Sequence, residues 1–396
     1  MVVSTAARLG KSLTNMESDR FRQLLDTPGP FASVYFADPE DTDDEGALLD
    51  VNWHALRERL EQRGANETVI AEIGHAVVDL RPPVGRGGRA VIAGAAGVVL
   101  NEHLLRPGVE PVVRVSELPY ILPILEHGFE HSHYLLVVLD PTGTFITTHT
   151  DVTRRSEIVE ADGRSLRDMP GDDADGDRDP TLRTVADRVS ELVHDAAFDA
   201  VFAVGDVGSR SDLLAALPAR VRERVTSLPI DVRRGGYDFE EIQRAVDVTL
   251  LRQRLSVTDS AVERFNAEVA RRSGLAAEGL GNVCSALRQG NVDTLIVGDV
   301  GDTTVVADAG LTTAAPTVEA LCERGATPAK TLRADEALPL LAISVGASVV
   351  RVDERIAPAD GIAAVLRHGN APHTAVAEGF EPPDGFSRLS LSRRVH

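Results

Sequence analysis

YLLVVLDPTGTFITTHT, residues 134–150, decides the fold class. Tyr134 to Leu139 is an unbroken apolar run of the length of a buried strand, and Pro141-Thr142-Gly143 carries turn chemistry. Thr144 to Thr148 is rich in β-branched and aromatic residues, so the stretch predicts a β-hairpin. Downstream, Leu182, Val185, Val189, Leu192 and Val193 recur at helical spacing from about Thr181. Ala200 to Val204 then reads as a second buried strand, followed by Gly205-Asp206-Val207-Gly208 and a helix from Asp212. Strand, glycine turn and helix make a βα unit, and the class is α/β, mixed α+β. Between hairpin and helix, Asp151 to Pro180 is a polar, acid-rich insertion with Gly163, Gly171 and Gly176, expected to be a long loop of the functional or disordered kind.

The flanks extend the pattern. Upstream, Phe21, Leu24 and Leu25 share a helical face before Pro28-Gly29-Pro30, and Phe31 to Phe36 predicts a strand. Asp38–Asp50 reads as a solvated acidic loop. Trp53, Leu56 and Leu60, then Val69, Ile70, Ile73 and Val77, predict a helical hairpin with its tip at Arg63, Gly64, Ala65 and Asn66. Arg89 to Ala93 and Val98 to Leu100 read as paired strands, with another at Val112 to Val115. Downstream, Tyr237 to Arg272 is mostly helical in pattern. A helix Leu275–Leu287, strands Thr294–Val297 and Thr303–Ala307, helices near Val318–Cys322 and Asp335–Val345, and strands Ser348–Val352 and Ile362–Leu366 suit a compact three-layer α/β sandwich. At 396 residues, and about 100–200 per domain, three domains are expected: 20–130, 131–272 and 273–370, between a flexible N-terminus (1–19) and a flexible tail (371–396).

Composition bounds the rest. With 43% apolar and 26% charged residues the chain can bury cores. The apolar runs are too short or too broken for a membrane span, and the N-terminus lacks the apolar stretch of a secretory signal, so no membrane association and a cytoplasmic location are expected. The net charge of −20 (41 basic against 61 acidic residues) speaks against a general DNA binder. The arginines, however, cluster at Arg81–Arg89, Arg154–Arg155 and Arg220–Arg234, and Lys11 and Lys330 are the only lysines, so basic faces suited to RNA phosphate are compatible with the acidic total.

Several chemical motifs were weighed. Cys284 and Cys322 form no CxxC pair and read as buried apolar side chains. His127, His131, His133 and His149 have a spacing a metal site could use, but no clear common helical face, so no metal is expected. The GDVG segments at Gly205–Gly208 and Gly298–Gly301 are neither GxGxxG nor GxxxxGK[ST] and read as tight turns. Gly85, Gly87 and Gly88 read as a hairpin connector, with an anion-binding turn as the alternative. No GxSxG elbow is present, and neither a cofactor nor a catalytic residue is expected.

The order of these parts, with PGPFASVYFAD, GRAVIAGAAGVVLNEHL, VGDVGSRSDLLAALP, GLAAEGLGNVCSALRQGNVDTLIVGDVGDTTVV and RADEALPLLAISVGASVVRVDERIAP, resembles the archaeo-eukaryotic release factor and Pelota superfamily over roughly residues 20–370. The resemblance is to its bacterial branch, which includes the Balon-type ribosome hibernation factors. It implies a three-domain architecture with a compact α/β sandwich at the C-terminus. It also implies an adaptor filling the ribosomal A site from decoding centre to peptidyl-transferase centre. Two departures matter. The loop that carries Gly-Gly-Gln in catalytic members has none here, and the hairpin tip lacks Asn-Ile-Lys-Ser. The implied reading is a noncatalytic hibernation factor on the 70S ribosome. Arg63, Gly64, Ala65 and Asn66 would face 16S rRNA at the decoding centre, Arg154, Arg155, Arg164 and Arg167 would face 23S rRNA, and the C-terminal domain would meet elongation factor Tu. A rescue hydrolase with different loop chemistry and an RNA-binding regulator remain as alternatives.

Overall fold

The two-residue period of PGPFASVYFA sets the first layer. In strand β1 (Phe31–Ala37), Ala32, Val34 and Phe36 enter one apolar cluster while Phe31 and Tyr35 enter another. The computed structural model describes residues 21, 24–25, 27–37, 45–78, 87–104, 110–127, 134–140, 143–149, 154–160, 180–195, 198, 200–230, 238–352 and 356–369. The expected flexible ends, 1–19 and 371–396, lie outside them.

Strands β2 (Gly88–Gly94), β3 (Gly97–Leu104) and β4 (Val112–Ser116) join β1 in an antiparallel sheet ordered β3-β2-β1-β4. A helical hairpin, α1 (Glu45–Gln62) and α2 (Glu67–Val78), covers one face through Leu56, Leu60, Val69, Ile70 and Ile73. Its two helices cross closely: a Cβ added to Gly74 would lie 2.5 Å from Cζ2 of Trp53. Buried Arg89 donates to the carbonyls of Ala76 and Val77 (both 3.0 Å), fastening the end of α2 to β2. The acidic stretch expected to be a loop as far as Asp50 is already helical from Glu45, because Ala47, Leu48 and Leu49 are strong helix formers.

Next comes a short helix, α3 (Leu122–His127), and then the hairpin of β5 (Tyr134–Asp140) and β6 (Gly143–His149), paired with Val137 opposite Ile146. Strand β8 (Ala200–Val204) is parallel to β5, β9 (Val225–Ser227) is parallel to β8, and β7 (Arg154–Glu160) edges β6, giving the order β7-β6-β5-β8-β9. Helices α4 (Pro180–Asp195) and α5 (Val207–Ala216) cover one face through Val185, Val189 and Leu213. A four-residue helix, α6 (Ala219–Arg222), leads into β9. The other face, with Tyr134, Leu136, Phe202 and Val204, packs on Ile242, Val246 and Leu250 of α7 (Phe239–Arg271). Coverage on both sides accounts for the unbroken apolar run in β5.

Helix α7 has 33 residues, about 50 Å at 1.5 Å per residue. Its far half places Ala261 and Phe265 against Ile296, Val350 and Val365 of the last unit. There β10 (Ala276–Glu278), α8 (Leu280–Arg288), β11 (Val292–Val297), β12 (Thr304–Ala307), β13 (Ala314–Ala315), α9 (Val318–Glu323), β14 (Lys330–Arg333), α10 (Ala334–Ser344), β15 (Ser348–Arg351) and β16 (Ile362–Leu366) follow in order. They form a four-stranded sheet, β10-β16-β11-β15, and a separate three-stranded one, β13-β12-β14. The helix expected over Leu275–Leu287 is split, because Gly279 at φ 81° ends β10 and turns the chain into α8. Helix α10 is buried along almost its whole length. The chain is thus a mixed α/β protein of several sheets, with an α/β sandwich at its C-terminal end. Among the described residues no helix is long and apolar enough to cross a membrane.

Candidate nucleic-acid interface

At the hairpin tip, the amide of Ala65 donates to the Leu60 carbonyl (3.0 Å) and that of Gly64 to the Glu61 carbonyl (3.0 Å), with Gly64 at φ 77°. This 6→1 and 5→2 pattern is a Schellman cap, and it needs the left-handed conformation that glycine adopts without strain. Asn66 then opens α2: its Oδ1 accepts from the Thr68 amide at 2.8 Å. Gly64 and Asn66 therefore shape the tip, and Arg63 is its exposed cation, standing at the negative end of the α1 dipole. The neighbouring arginines are engaged elsewhere, Arg57 with Glu61 (2.8 Å) and Arg59 with the Pro111 carbonyl (2.8 Å).

The insertion read as one loop from Asp151 begins instead with β7. Ile158 and Val159 give that segment strand propensity. Arg154 and Arg155 hold consecutive register positions opposite His149 and Thr148, on a sheet edge rather than in a loop. Arg164 and Arg167 lie outside the described residues, so the four arginines are not brought together here.

Neither GDVG turn is arranged as a phosphate loop. The Asp206 carboxylate itself takes the Ser209 amide (3.0 Å) and hydroxyl (2.6 Å), and these bonds hold its carboxyl below the usual range. In the second turn Asp299 accepts from the Gly301 amide at 3.0 Å. Each turn thus fills a donor position with its own anion. Among the described residues no group of three or more His, Cys, Asp or Glu side chains could hold a metal ion. His131 and His133 lie outside those residues, as do Gly85 and Arg86. Cys284 is buried, which pushes its thiol up to about 12. Cys322, expected to be buried, is exposed: Leu321 takes the inward position on α9.

The most elaborate polar constellation lies between the first and last units. Arg114 on β4 stacks on the Tyr120 ring (3.5 Å to the centroid) and reaches Asp335 Oδ2 at 2.8 Å and Glu336 Oε1 at 3.4 Å. Arg333 brackets Asp335 from the other side at 3.0 Å and also meets Asp302 at 2.9 Å. Burial, then the charge of Asp335, raises the Glu336 carboxyl above its ordinary range. Further out, Lys330 pairs with Glu117 (2.7 Å) and Arg351 with Glu126 (3.0 Å), and Arg351 also donates to the Tyr120 hydroxyl (3.1 Å). Tyr120 is fixed by its amide bond to Ser33 Oγ (3.1 Å) and by the Tyr35 hydroxyl, which donates to its carbonyl. Arg254 of α7 donates to the carbonyls of Ile124 and Leu125 (3.1 and 3.0 Å). One apolar cluster runs beneath all this, joining Phe31, Ile92 and Ile121 to Leu338, Leu341 and Val349. The sequence reading missed this junction; the only signal was the adjacent acids Asp335-Glu336 opening an apolar helix.

Comparison with known proteins defines the class first: residues 133–271, the central sheet with α7, match the sequence model of bacterial archaeo-eukaryotic release factor family 2. An uncharacterized Mycobacterium tuberculosis protein, Rv2629 of strain H37Rv and MT2704 of strain CDC 1551, is 40% identical over 363 residues, covering 89% of this chain and 97% of the relative. The chain belongs with these proteins to the bacterial branch of the archaeo-eukaryotic release factor superfamily. Among solved structures, Archaeoglobus fulgidus Pelota is 15% identical over 72% of this chain and 80% of its own, with a TM-score of 0.35. Dom34 of S. cerevisiae, described as a translation termination-like factor interacting with Hbs1, is 11% identical over 90% of this chain and 94% of its own, with a TM-score of 0.37.

Proposed function

We propose that this protein is a ribosome-binding translation factor that occupies the A site of the 70S ribosome without releasing peptide, as Balon-type hibernation factors do. The observation that carries the reading is the central unit: it matches a release-factor family, yet the 151–180 segment after its hairpin contains no Gly-Gly-Gln. Occupying such a site needs shape, backbone donors and phosphate-facing guanidinium groups rather than a nucleophile. In this reading Arg63 approaches 16S rRNA from the capped tip, Arg154, Arg155, Arg164 and Arg167 approach 23S rRNA, and the C-terminal unit meets elongation factor Tu. No metal, cofactor or DNA takes part.

The test is a peptidyl-tRNA hydrolysis assay on stalled ribosomes run beside a filter-binding measurement over a salt series. Saturable binding with no release supports the reading. Release above background would make the protein a rescue hydrolase with a different loop chemistry. Replacing the four central arginines should weaken binding and flatten its salt dependence, and an unchanged salt slope would remove them from the interface.

A further inference from the structure

The ion pairs between the first and last units are ordered by depth. Lys330 and Glu117 are about half exposed (50% and 53%), and Arg351 and Glu126 about one-third (32% and 38%). Arg114, Asp335 and Glu336 are the deepest, at 21%, 6% and 2%. The basic partners come from both sides of the seam, Arg114 from the first unit and Lys330 and Arg351 from the last. Charge complementarity therefore runs in both directions and fixes one register. The pairs also tie specific elements: the β4 edge and the Glu117 turn to β14 and the start of α10, and α3 to β15. Arg254 adds α7 to the same end of α3.

We propose that these pairs form an electrostatic latch that holds the N-terminal unit on the C-terminal unit and opens by rigid-body separation, with both units staying folded. Each unit has what it needs to remain folded when separated: β1–β4 keep the α1–α2 face, with its own cluster around Leu56, Ile73 and Val91, and the last unit keeps Phe265 of α7 on β11 and β16. Exposed pairs contribute little and are screened by salt, while the buried Arg114 would leave two carboxylates unmatched if removed. The latch therefore weakens in steps from its rim inwards. This inference rests on the junction and is independent of the ribosome reading.

The experiment measures a spin-label distance on the full chain. Cys322 is exposed on α9 while Cys284 is buried with a suppressed thiolate, so Cys322 and a Cys introduced by Glu58→Cys on exposed α1 give one label on each unit. Double electron–electron resonance should show one short distance at low salt. A longer distance should grow in for Lys330→Met, more for Arg351→Met and most for Arg114→Met, and the swap Glu117→Lys with Lys330→Glu should restore the parent distribution. Trp53, the only tryptophan, sits between α1 and α2, so unchanged emission in each variant establishes that the N-terminal unit is still folded. An unaltered distribution in Arg114→Met, or loss of Trp53 burial whenever the long distance appears, overturns the proposal. An inverted ranking of the three variants overturns the stepwise order.

Discussion

The N- and C-terminal units share one apolar cluster sealed by ion pairs, whereas the central sheet keeps its clusters to itself, one under α4 and α5 and one under the first half of α7. In one case contact between units completes a core; in the other each sheet face is already covered locally. The difference teaches where cooperativity lies: residues 31–127 and 276–366 should respond together to damage at their seam, and the central sheet should respond alone.

The largest expected effect comes from Phe202→Ala, which empties a fully buried site between β8 and α7 and should cost about 3–5 kcal/mol. Chemical denaturation followed by far-ultraviolet dichroism should then show an early transition while the Trp53 transition stays in place. If Trp53 moves as well, the separation drawn above is broken. Arg114→Met comes next, leaving Asp335 and Glu336 without that cation, at about 2 kcal/mol. This variant should shift the Trp53 transition and spare the central one, the reverse of Phe202→Ala.

Gly74→Ala sharpens the picture within the first unit. The new methyl meets the Trp53 indole, so a loss on the order of 1 kcal/mol and a shifted Trp53 emission maximum are expected. Asp206→Ala should have the smallest effect, about 0.5–1 kcal/mol, through loss of the α5 cap. Its carboxyl is held below the free value by Ser209, so its contribution is present above the free carboxyl's pKa and fades as pH falls through the lowered one. Melts of parent and variant should therefore differ at neutral pH and converge in acid; a gap that widens in acid would contradict the cap.

The sequence made the central sheet legible because apolar density and turn chemistry agree there: β5, β6 and β8 lie on Tyr134–Asp140, Gly143–His149 and Ala200–Val204. The strands that were hidden are polar edges. RRSEIVE of β7 and KTLR of β14 each hold few apolar residues, because an edge strand buries little of itself and is specified by its neighbour. The start of α8 was misjudged because helical periodicity runs past Gly279, whose left-handed geometry decides the break. At the candidate site, the tip could be read from Arg63-Gly64-Ala65-Asn66, since a glycine C′ and an Asn cap are local chemistry. The junction could not be read, because Arg114 and Asp335 are 221 residues apart and only the fold brings them together.

The central claim is A-site occupancy, and cosedimentation of the purified chain with vacant and translating 70S ribosomes, with and without elongation factor Tu and competing A-site tRNA, tests it most directly. Saturable binding to vacant ribosomes that tRNA displaces is the predicted result. Absence of binding under every condition, or binding that A-site tRNA leaves untouched, would contradict it.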